Sequence, residues 1–265
     1  MIDLATVLLP LAEGGGFEPP GPSVFEYPPL FGGVTKSMLQ LALSVVLIAG
    51  VTYLMARRAA IVPGRLQYAG EIAYGGVRNS IAREIIGTEH YLKFVPYLFA
   101  LFMFVAVNNY FGIVPLIQLP TFSRSGYAYG LAILTWLLYN GAGIWKHGLI
   151  GYLKHTCIPA GVKGPVLLLI VPLEFLSNIL VRPVTLALRL FANMFAGHLL
   201  LVLFAVGGEY LIIESPSLVN VFGGVLAWVM FFAVSVLELL VMFLQAYVFT
   251  LLTAMYVGGA LADEH

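Results

Sequence analysis

Long apolar runs separated by short polar connections dominate the sequence from residue 36 onward. Each run approaches or exceeds the roughly 18–20 residues that a helix needs to cross a bilayer core of about 30 Å. The runs cover residues 37–56, 94–117, 128–145, 165–206 and 217–258. We therefore predict an all-α integral membrane protein with about five transmembrane helices, in which residues 36–265 form a single transmembrane domain.

The fourth and fifth runs are unusually long. Each has about 42 residues, or roughly 63 Å of helix, which is twice the length that a perpendicular span needs. We interpret them as two long, strongly tilted or bent helices that form a hairpin through a turn at residues 214–217. The alternative divides each run into two spans, giving seven in all with the same orientation of both chain ends.

The connection at residues 57–93 contains a second type of helical pattern. Apolar residues recur in it at near-helical spacing among charged ones: Leu66, Ile72, Ala73, Ile81 and Ile85. This spacing predicts an amphipathic helix lying on the inner membrane surface. An ordinary solvated connector is the alternative.

The charges on the connections predict the orientation of the chain. Residues 57–93 contain six bases against three acids, and residues 146–164 contain three lysines and no acid. By contrast, residues 118–127 contain one base, Arg124, and the charged residues within 207–216 are all acids. Because basic loops stay on the cytoplasmic side, we predict an outside N-terminus and a cytoplasmic C-terminus. Residues 1–35, with four acids and no base, are predicted to form an extra-membrane segment.

The overall composition excludes several classes of protein. The chain is 60% hydrophobic and 10% charged with zero net charge, so nucleic acid is not an expected partner. The single cysteine, Cys157, cannot form an internal disulfide, and we expect no metal site and no cofactor. No phosphate-cradling loop is present, so we expect no nucleotide chemistry and no enzymatic activity in this chain.

A few ionisable residues lie deep inside the predicted spans. Charge in lipid is costly, with estimates from about 2.5 to more than 10 kcal/mol for a central Arg, so these residues are functional candidates by default. They are Glu174, Arg182, Arg189, His198 and Glu238.

Most of these polar groups share one face of the fourth span. At 100° per residue, a stripe about 100° wide holds the polar residues, and His198 falls on the opposite face. The stripe comprises Glu174, Asn178, Arg182, Thr185, Arg189 and Asn193. On the fifth span, Glu238 and Gln245 are seven residues apart and share a narrow face.

The register of the predicted hairpin decides what faces Arg189. A turn centred within 207–216 would bring Glu238 within about one helical turn of Arg189. A turn centred near Ser217 would instead place Arg189 level with Gln245, and His198 level with Glu238. We favour the second register because it pairs polar groups at both levels. Arg189 then lacks a carboxylate within its own chain, so its acid must come from another chain.

Four stretches together resemble one family. RPVTLALRLFANMFAGHLLL at 182–201, ELLVMFLQAYVFTLLTAMY at 238–256, VNNYFGIVP at 107–115 and GIWKHG at 143–148 are similar to subunit a of the F-type ATP synthases. Arg-Leu-Phe-Ala-Asn followed by Ala-Gly-His is the most specific of these motifs.

The resemblance implies a proton-conducting stator beside a rotating ring of c subunits. Arg189 matches the arginine that separates two aqueous half-channels in the family. Glu238 and His198, with Asn193 and Gln245, would serve the outer half-channel, and Glu174 the inner one. The implied partners are the c-ring, the b subunits of the peripheral stalk, the remaining F1Fo complex and the lipid bilayer. A bacterial plasma membrane fits better than a mitochondrial inner membrane.

Other functions fit the residues less well. The main alternative is a proton-coupled secondary transporter that uses Glu238 and His198. Such carriers usually have internal repeats and paired helix breaks at mid-membrane, and the sequence contains neither. A membrane enzyme would need a nucleophile or a metal-ligand set, which is also missing.

Overall fold

The structure is a computed structural model. It describes residues 17–29, 32–57, 60–114, 117–158, 166–214 and 217–262; the side chain of Leu66, one of the apolar positions of the predicted amphipathic helix, lies outside the described part. Within these ranges the chain forms six long helical elements. They are α1 (Lys36–Arg57), α2 (Arg65–Gly75, a π-helical stretch Gly76–Arg83 and a last turn Glu84–Ile86), α3 (Tyr91–Tyr110), α4 (Ser125–Cys157), α5 (Leu167–Leu176, a π-helical turn Ser177–Val181 and Arg182–Ile213) and α6 (Leu218–Leu261).

The all-helical membrane fold predicted from hydropathy is confirmed. Among the described residues, four helices are long and apolar enough to span a bilayer: α1, α3, α5 and α6. Helix α4 carries the predicted span 128–145 but continues to Cys157 across a sharp break at Gly148, whose φ is +71°. A positive φ of this size favours glycine, because a Cβ would be strained there.

Helix α3 ends earlier than the predicted span 94–117. Its last residue is Tyr110, and residues 111–114 form a turn. Gly112 lies in this turn. Further along, a short 3-10 turn, Thr121–Ser123, precedes α4. Hydropathy could not locate this end, because residues 111–114 are as apolar as the helix before them.

Helices α5 and α6 form the predicted hairpin, although residues 215 and 216 of its turn lie outside the described residues. Gly208 of α5 packs against Trp228 of α6, and Glu238 packs against Gly197. These pairings correspond to the second of the two registers. At 47 and 44 residues, both helices are much longer than a perpendicular span requires.

The core lies where α3, α4, α5 and α6 meet. Small side chains such as Ala187 and Ala246 are fully buried in it, which lets the helix backbones approach closely. Two adjacent asparagines of α3 brace this core: Asn108 donates to the Ser44 hydroxyl of α1 (3.0 Å), and Asn109 donates to the Met242 carbonyl of α6 (3.2 Å).

The predicted amphipathic helix is α2, and its second half is the buried part. Val77, Ile81 and Ala82 are buried against a cluster that includes α3 and α6, whereas Ile72 remains exposed. Near its end, the Ile85 backbone packs against Gly258 of α6. Helix α2, predicted to lie on the membrane surface, is therefore also packed against the bundle.

Basic residues gather at one end of the bundle. Lys93 at the start of α3 lies 4.6 Å from the centre of the Trp145 ring near the end of α4. Lys146 donates to the Leu261 carbonyl at the end of α6, over 2.6 Å. We call this the inner end, following the orientation that the charge pattern predicts, and the opposite end the outer end.

The described part of the N-terminal segment lies along α5 near the outer end. Phe17 packs on Tyr210 with ring centres 5.4 Å apart, and Phe25 packs on Phe195 at 4.9 Å. Phe25 is buried. The described residues of the predicted extra-membrane segment therefore pack on α5. Residues 1–16, 30 and 31 of the prediction lie outside the described residues.

Candidate functional site

Arg189 lies on the open surface of α5. Its neighbours Leu186, Ala187 and Leu190 are buried in the core, so the helix turns its apolar side inward and Arg189 outward. The side chain is exposed, and within the part of the chain that the structure describes it forms no hydrogen bond or ion pair. No acid of the described residues neutralises this permanent charge.

One helical turn beyond Arg189, α5 and α6 are joined by an amide pair. Asn193 Nδ2 donates to Gln245 Oε1 over 2.9 Å. Gln245 is 3% exposed, and its Nε2 has no partner among the described residues. The pair fixes the relative height of the two helices close to Arg189.

Glu238 lies further toward the outer end and is 4% exposed. Neither of its carboxylate oxygens has a hydrogen-bond partner in the described chain. A Cβ built on Gly197 would be 3.0 Å from Glu238 Oε1, so the carboxyl group occupies space that a larger residue at 197 would fill.

His198 is next to the glycine that Glu238 contacts. Its ring is half-buried, and its Nδ1 also has no partner in the described chain. The imidazole packs on Phe25 with ring centres 5.7 Å apart. The structure therefore brings His198 and Glu238 to the same level, as the favoured register predicts, without a hydrogen bond between them. We call Asn193, His198, Glu238 and Gln245 the outer cluster.

Four buried polar atoms of the outer cluster have no partner in the described chain: His198 Nδ1, both carboxylate oxygens of Glu238, and Gln245 Nε2. A buried carboxyl group without hydrogen bonds is costly, and such a group in a native protein calls for an explanation such as a catalytic role or a bound water or ion. An unpaired acid beside an unpaired imidazole can accept and release protons.

A second group of polar side chains lies near the inner end of α5. Asn178 Nδ2 donates to Glu174 Oε2 (3.2 Å) and to the Thr156 carbonyl (3.0 Å). Tyr139 of α4 donates its hydroxyl to the Asn178 carbonyl over 3.0 Å. Asn178 is 5% exposed, and these bonds compensate for the burial of its NH2 group, while its Oδ1 has no partner among the described residues.

The break at Gly148 completes this second group. The chain beyond it places the Tyr152 ring directly against Gly143, where a Cβ would overlap the ring. Tyr152 then donates its hydroxyl to Asn140 Oδ1 over 2.9 Å. The GIWKHG motif thus supplies both the break and the small residue that the ring packs on. We call Tyr139, Asn140, Tyr152, Glu174 and Asn178 the inner cluster.

Arg182 borders the inner cluster. Its guanidinium carbon lies 5.2 Å from the centre of the Tyr256 ring of α6, and Tyr256 packs on Tyr139 at 5.4 Å. A cation over an aromatic face is stabilised by the ring quadrupole. Arg182 is therefore held within the bundle, in contrast to Arg189.

The predicted polar stripe is interrupted by the π-helical turn Ser177–Val181. This turn ends two residues before Pro183, which has no N–H and whose ring crowds the carbonyl four residues earlier. A π-helical turn has more residues per turn, so a constant 100° step does not carry the face of Glu174 across to Arg189. Asn178 is buried while Thr185 and Arg189 are exposed.

Several residues in or next to these clusters were not identified from the sequence: Phe25, Tyr139, Asn140, Tyr152 and Gly197. The asparagine and two tyrosines carried a usable signal, because polar side chains in or beside a predicted span need partners. Phe25 and Gly197 carried none, since an apolar ring and a glycine are ordinary in their segments. No group of three His, Cys, Asp or Glu side chains suited to a metal ion occurs in the described ranges.

Comparison with known proteins identifies the family. Residues 38–258 match the model of the family described as "ATP synthase A chain". The chain is 58% identical over 268 residues to ATP synthase subunit a of Nocardioides sp., covering 96% of each chain. It is 48% identical over 276 residues to ATP synthase subunit a of Pseudarthrobacter chlorophenolicus, covering all of both. It is 37% identical to that of Streptomyces lividans over 259 residues, covering 96% of this chain and 91% of the relative. The chain therefore belongs to the ATP synthase A chain family, as a proton-translocating membrane subunit of that complex and not a catalytic one.

Proposed function

We propose that this chain is the proton-conducting stator that forms two aqueous half-channels and couples proton flow to rotation of a c-ring. The observation that carries the proposal is the position of Arg189, exposed on α5 between two separate polar clusters. At 1.5 Å per residue, His198 lies about 13 Å along the helix on one side and Glu174 about 22 Å on the other.

The proposed role of Arg189 follows from the chemistry of guanidinium. It stays charged at any working pH, so it cannot accept and pass on a proton. It attracts an ionised carboxylate by about 4 kcal/mol at 4 Å with an effective dielectric near 20. A c-ring carboxylate that arrives at Arg189 is therefore held ionised and has released its proton to one half-channel before it is loaded from the other.

The outer half-channel is assigned to the outer cluster. Glu238 and His198 both titrate, and their buried atoms without protein partners suit proton exchange with water. Asn193 and Gln245 lie between them and Arg189, and their mutual hydrogen bond keeps the end of this path in a fixed position.

The inner half-channel is assigned to Glu174. It lies on the opposite side of Arg189 along α5, next to the basic end of the bundle, and Asn178 holds its carboxylate through one hydrogen bond. The two proposed paths therefore reach Arg189 from opposite ends of one helix without meeting.

The proposed setting follows the family and the charge pattern. The c-ring would lie against the Arg189 face, and the b subunits of the peripheral stalk would hold the chain in place. The inner end, with its lysines and arginines, would be cytoplasmic in a bacterial plasma membrane. Each 100 mV across that membrane adds about 2.3 kcal/mol per proton moved.

The proposal is tested by replacing Arg189 in the assembled complex. We expect Arg189→Ala to lower proton-driven ATP synthesis by at least about a hundredfold, because a preorganised charge at the transfer point is lost. Arg189→Lys should also fail, since an ammonium enclosed between this chain and the proposed c-ring can lose its proton. The measurement is ATP synthesis by reconstituted proteoliposomes, with subunit content checked by electrophoresis.

Arg182→Lys is the matched control, because it retains a cation beside Tyr256 on the same helix. It should leave most of the synthesis intact. Normal coupled synthesis by Arg189→Ala, or an equal loss in Arg182→Lys, would contradict the proposal.

A further inference from the structure

Residues 17–29 of the N-terminal segment contact a proposed proton relay although they contribute no charge to it. Phe25 is 3% exposed, which is unusual for a residue of a Pro- and Gly-rich segment. Its ring lies against the imidazole of His198 and against Phe195, which stacks in turn on Phe191 at 5.3 Å. The aromatic side chains thus form a continuous row along α5 that ends at His198.

A charged anchor holds Phe25 in this position. Arg124 Nε and Nη2 both donate to the Phe25 carbonyl, each over 3.2 Å. Arg124 directly follows the buried 3-10 turn Thr121–Ser123, so the anchor is fixed to the core between α3 and α4. Hydrogen bonds from a charged donor are stronger than neutral ones.

The local sequence favours this placement. Phe25 ends a short 3-10 turn that begins at Pro22, and Pro19 and Pro20 precede it. Proline fixes φ and reduces the conformational freedom that ordering the segment must remove. The restricted conformation of the segment thus favours one position of the Phe25 ring, against His198.

We infer that Phe25 is a positioning residue of the outer half-channel: its ring fixes the orientation of His198 beside Glu238 and shields the imidazole on that side. This inference rests on the proposed function. Water and protons would then reach His198 from a side of the imidazole that the Phe25 ring does not cover. Within the described residues, the charged groups around this contact are Glu238 on α6, Arg124 and the exposed Glu26.

The first test measures shielding directly and needs no proton transport. The measurement uses the intact complex and follows labelling of this chain alone. Cys157→Ala removes the only cysteine of this chain, and His198→Cys introduces a thiol at the shielded position. We expect a membrane-impermeant maleimide added from the outer side to label this thiol about tenfold faster when Phe25 is also Ala, since thiol reactivity follows access.

Phe17→Ala is the matched control, because Phe17 lies on the same segment but packs on Tyr210. It should leave the labelling rate within about twofold of the parent. Equal labelling with and without Phe25, or equal acceleration by Phe17→Ala, would overturn the inference.

The second test measures positioning in proteoliposomes whose lumen corresponds to the outer side. We expect Phe25→Ala to shift the luminal-pH dependence of ATP synthesis by about half a pH unit or more, because a misplaced imidazole titrates in different surroundings. Phe25→Tyr, which keeps the ring, should restore the original profile. A uniform loss of rate with an unchanged profile would show a merely structural role and overturn the inference. If Phe25→Ala fails to assemble, Phe25→Leu is measured in both tests with the same expected results.

Glu238→Gln separates failure of this inference from failure of the proposed function. If Glu238→Gln synthesises ATP normally, the proposed outer path itself is refuted. If Glu238→Gln is defective while Phe25→Ala matches the parent in both tests, only the role of Phe25 is refuted.

Discussion

The outer and inner clusters of α5 satisfy their buried polar groups in different ways. In the outer cluster, both carboxylate oxygens of Glu238 and the Nδ1 of His198 lack partners within the described chain. In the inner cluster, Asn178 links Glu174 to the Thr156 carbonyl, and Tyr152 bonds to Asn140. The inner cluster has one buried atom without a partner among the described residues, Asn178 Oδ1, and it belongs to a group that does not titrate. A hydrogen-bonded network rigidifies its surroundings, whereas unpaired titratable groups remain available for exchange.

This difference indicates that different interactions hold the side chains of the two proposed half-channels in position. The outer path depends on the titration of two side chains whose positions are set by glycine and aromatic packing. The inner path depends on a network that holds one carboxylate at the edge of a π-helical turn. Substitutions of the same chemical type should therefore have unequal effects at the two ends.

The largest expected difference is between the two glutamates. Glu238→Gln should slow proton uptake from the outer side by about tenfold to a hundredfold, because a general acid–base group is lost. Glu174→Gln should have a smaller effect, since Glu174 is only half-buried and its amide partner can bond a glutamine as well. Passive proton flux through reconstituted membrane sectors measures both. Equal losses at the two positions would remove the distinction between the clusters.

A smaller effect is expected from replacing Gly197, the glycine that Glu238 contacts. In Gly197→Ala, the new methyl group would lie 3.0 Å from Glu238 Oε1, so the carboxyl group must move by a few tenths of an ångström or more. We expect outer proton uptake to fall by about threefold to tenfold, because proton transfer is sensitive to misplacement. The inner-cluster counterpart is Gly143→Ala, which should displace Tyr152 and leave outer uptake unchanged. A loss of outer uptake in Gly143→Ala would contradict the separation of the two paths.

The smallest effect concerns the stability of the inner network. Asn178→Leu should destabilise the bundle by about 1–3 kcal/mol, because the Thr156 carbonyl and Glu174 lose a buried donor. The midpoint of thermal inactivation of the purified complex reports this change. Thr185→Ala is the control on the same helix: its exposed hydroxyl bonds only its own helix backbone, and the change should stay within about 0.5 kcal/mol. An inactivation midpoint for Asn178→Leu equal to that of Thr185→Ala would show that the network carries no stability.

Much of the fold followed from hydropathy, because lipid imposes a length and a helical period on each span. The placement of His198 level with Glu238, and of Gln245 near the level of Arg189, followed from requiring the polar groups of the two helices to lie at matching levels. This requirement chose between two registers that hydropathy could not distinguish.

Other features could not be read from the pattern. The π-helical turn before Pro183 changes the period on which the stripe calculation depends. The contact between Phe25 and His198 joins residues 173 positions apart, and no local propensity specifies it. The break at Gly148 was also hidden, since a glycine in a connection such as 146–164 has several structural meanings.

The most direct test of the account is a density map of the assembled complex in its membrane sector. It should show a c-ring helix facing Arg189, with a ring carboxylate close enough to pair with the guanidinium in at least one rotary position. An Arg189 side chain bonded to a glutamate of its own chain, with no ring helix beside it, would contradict the account.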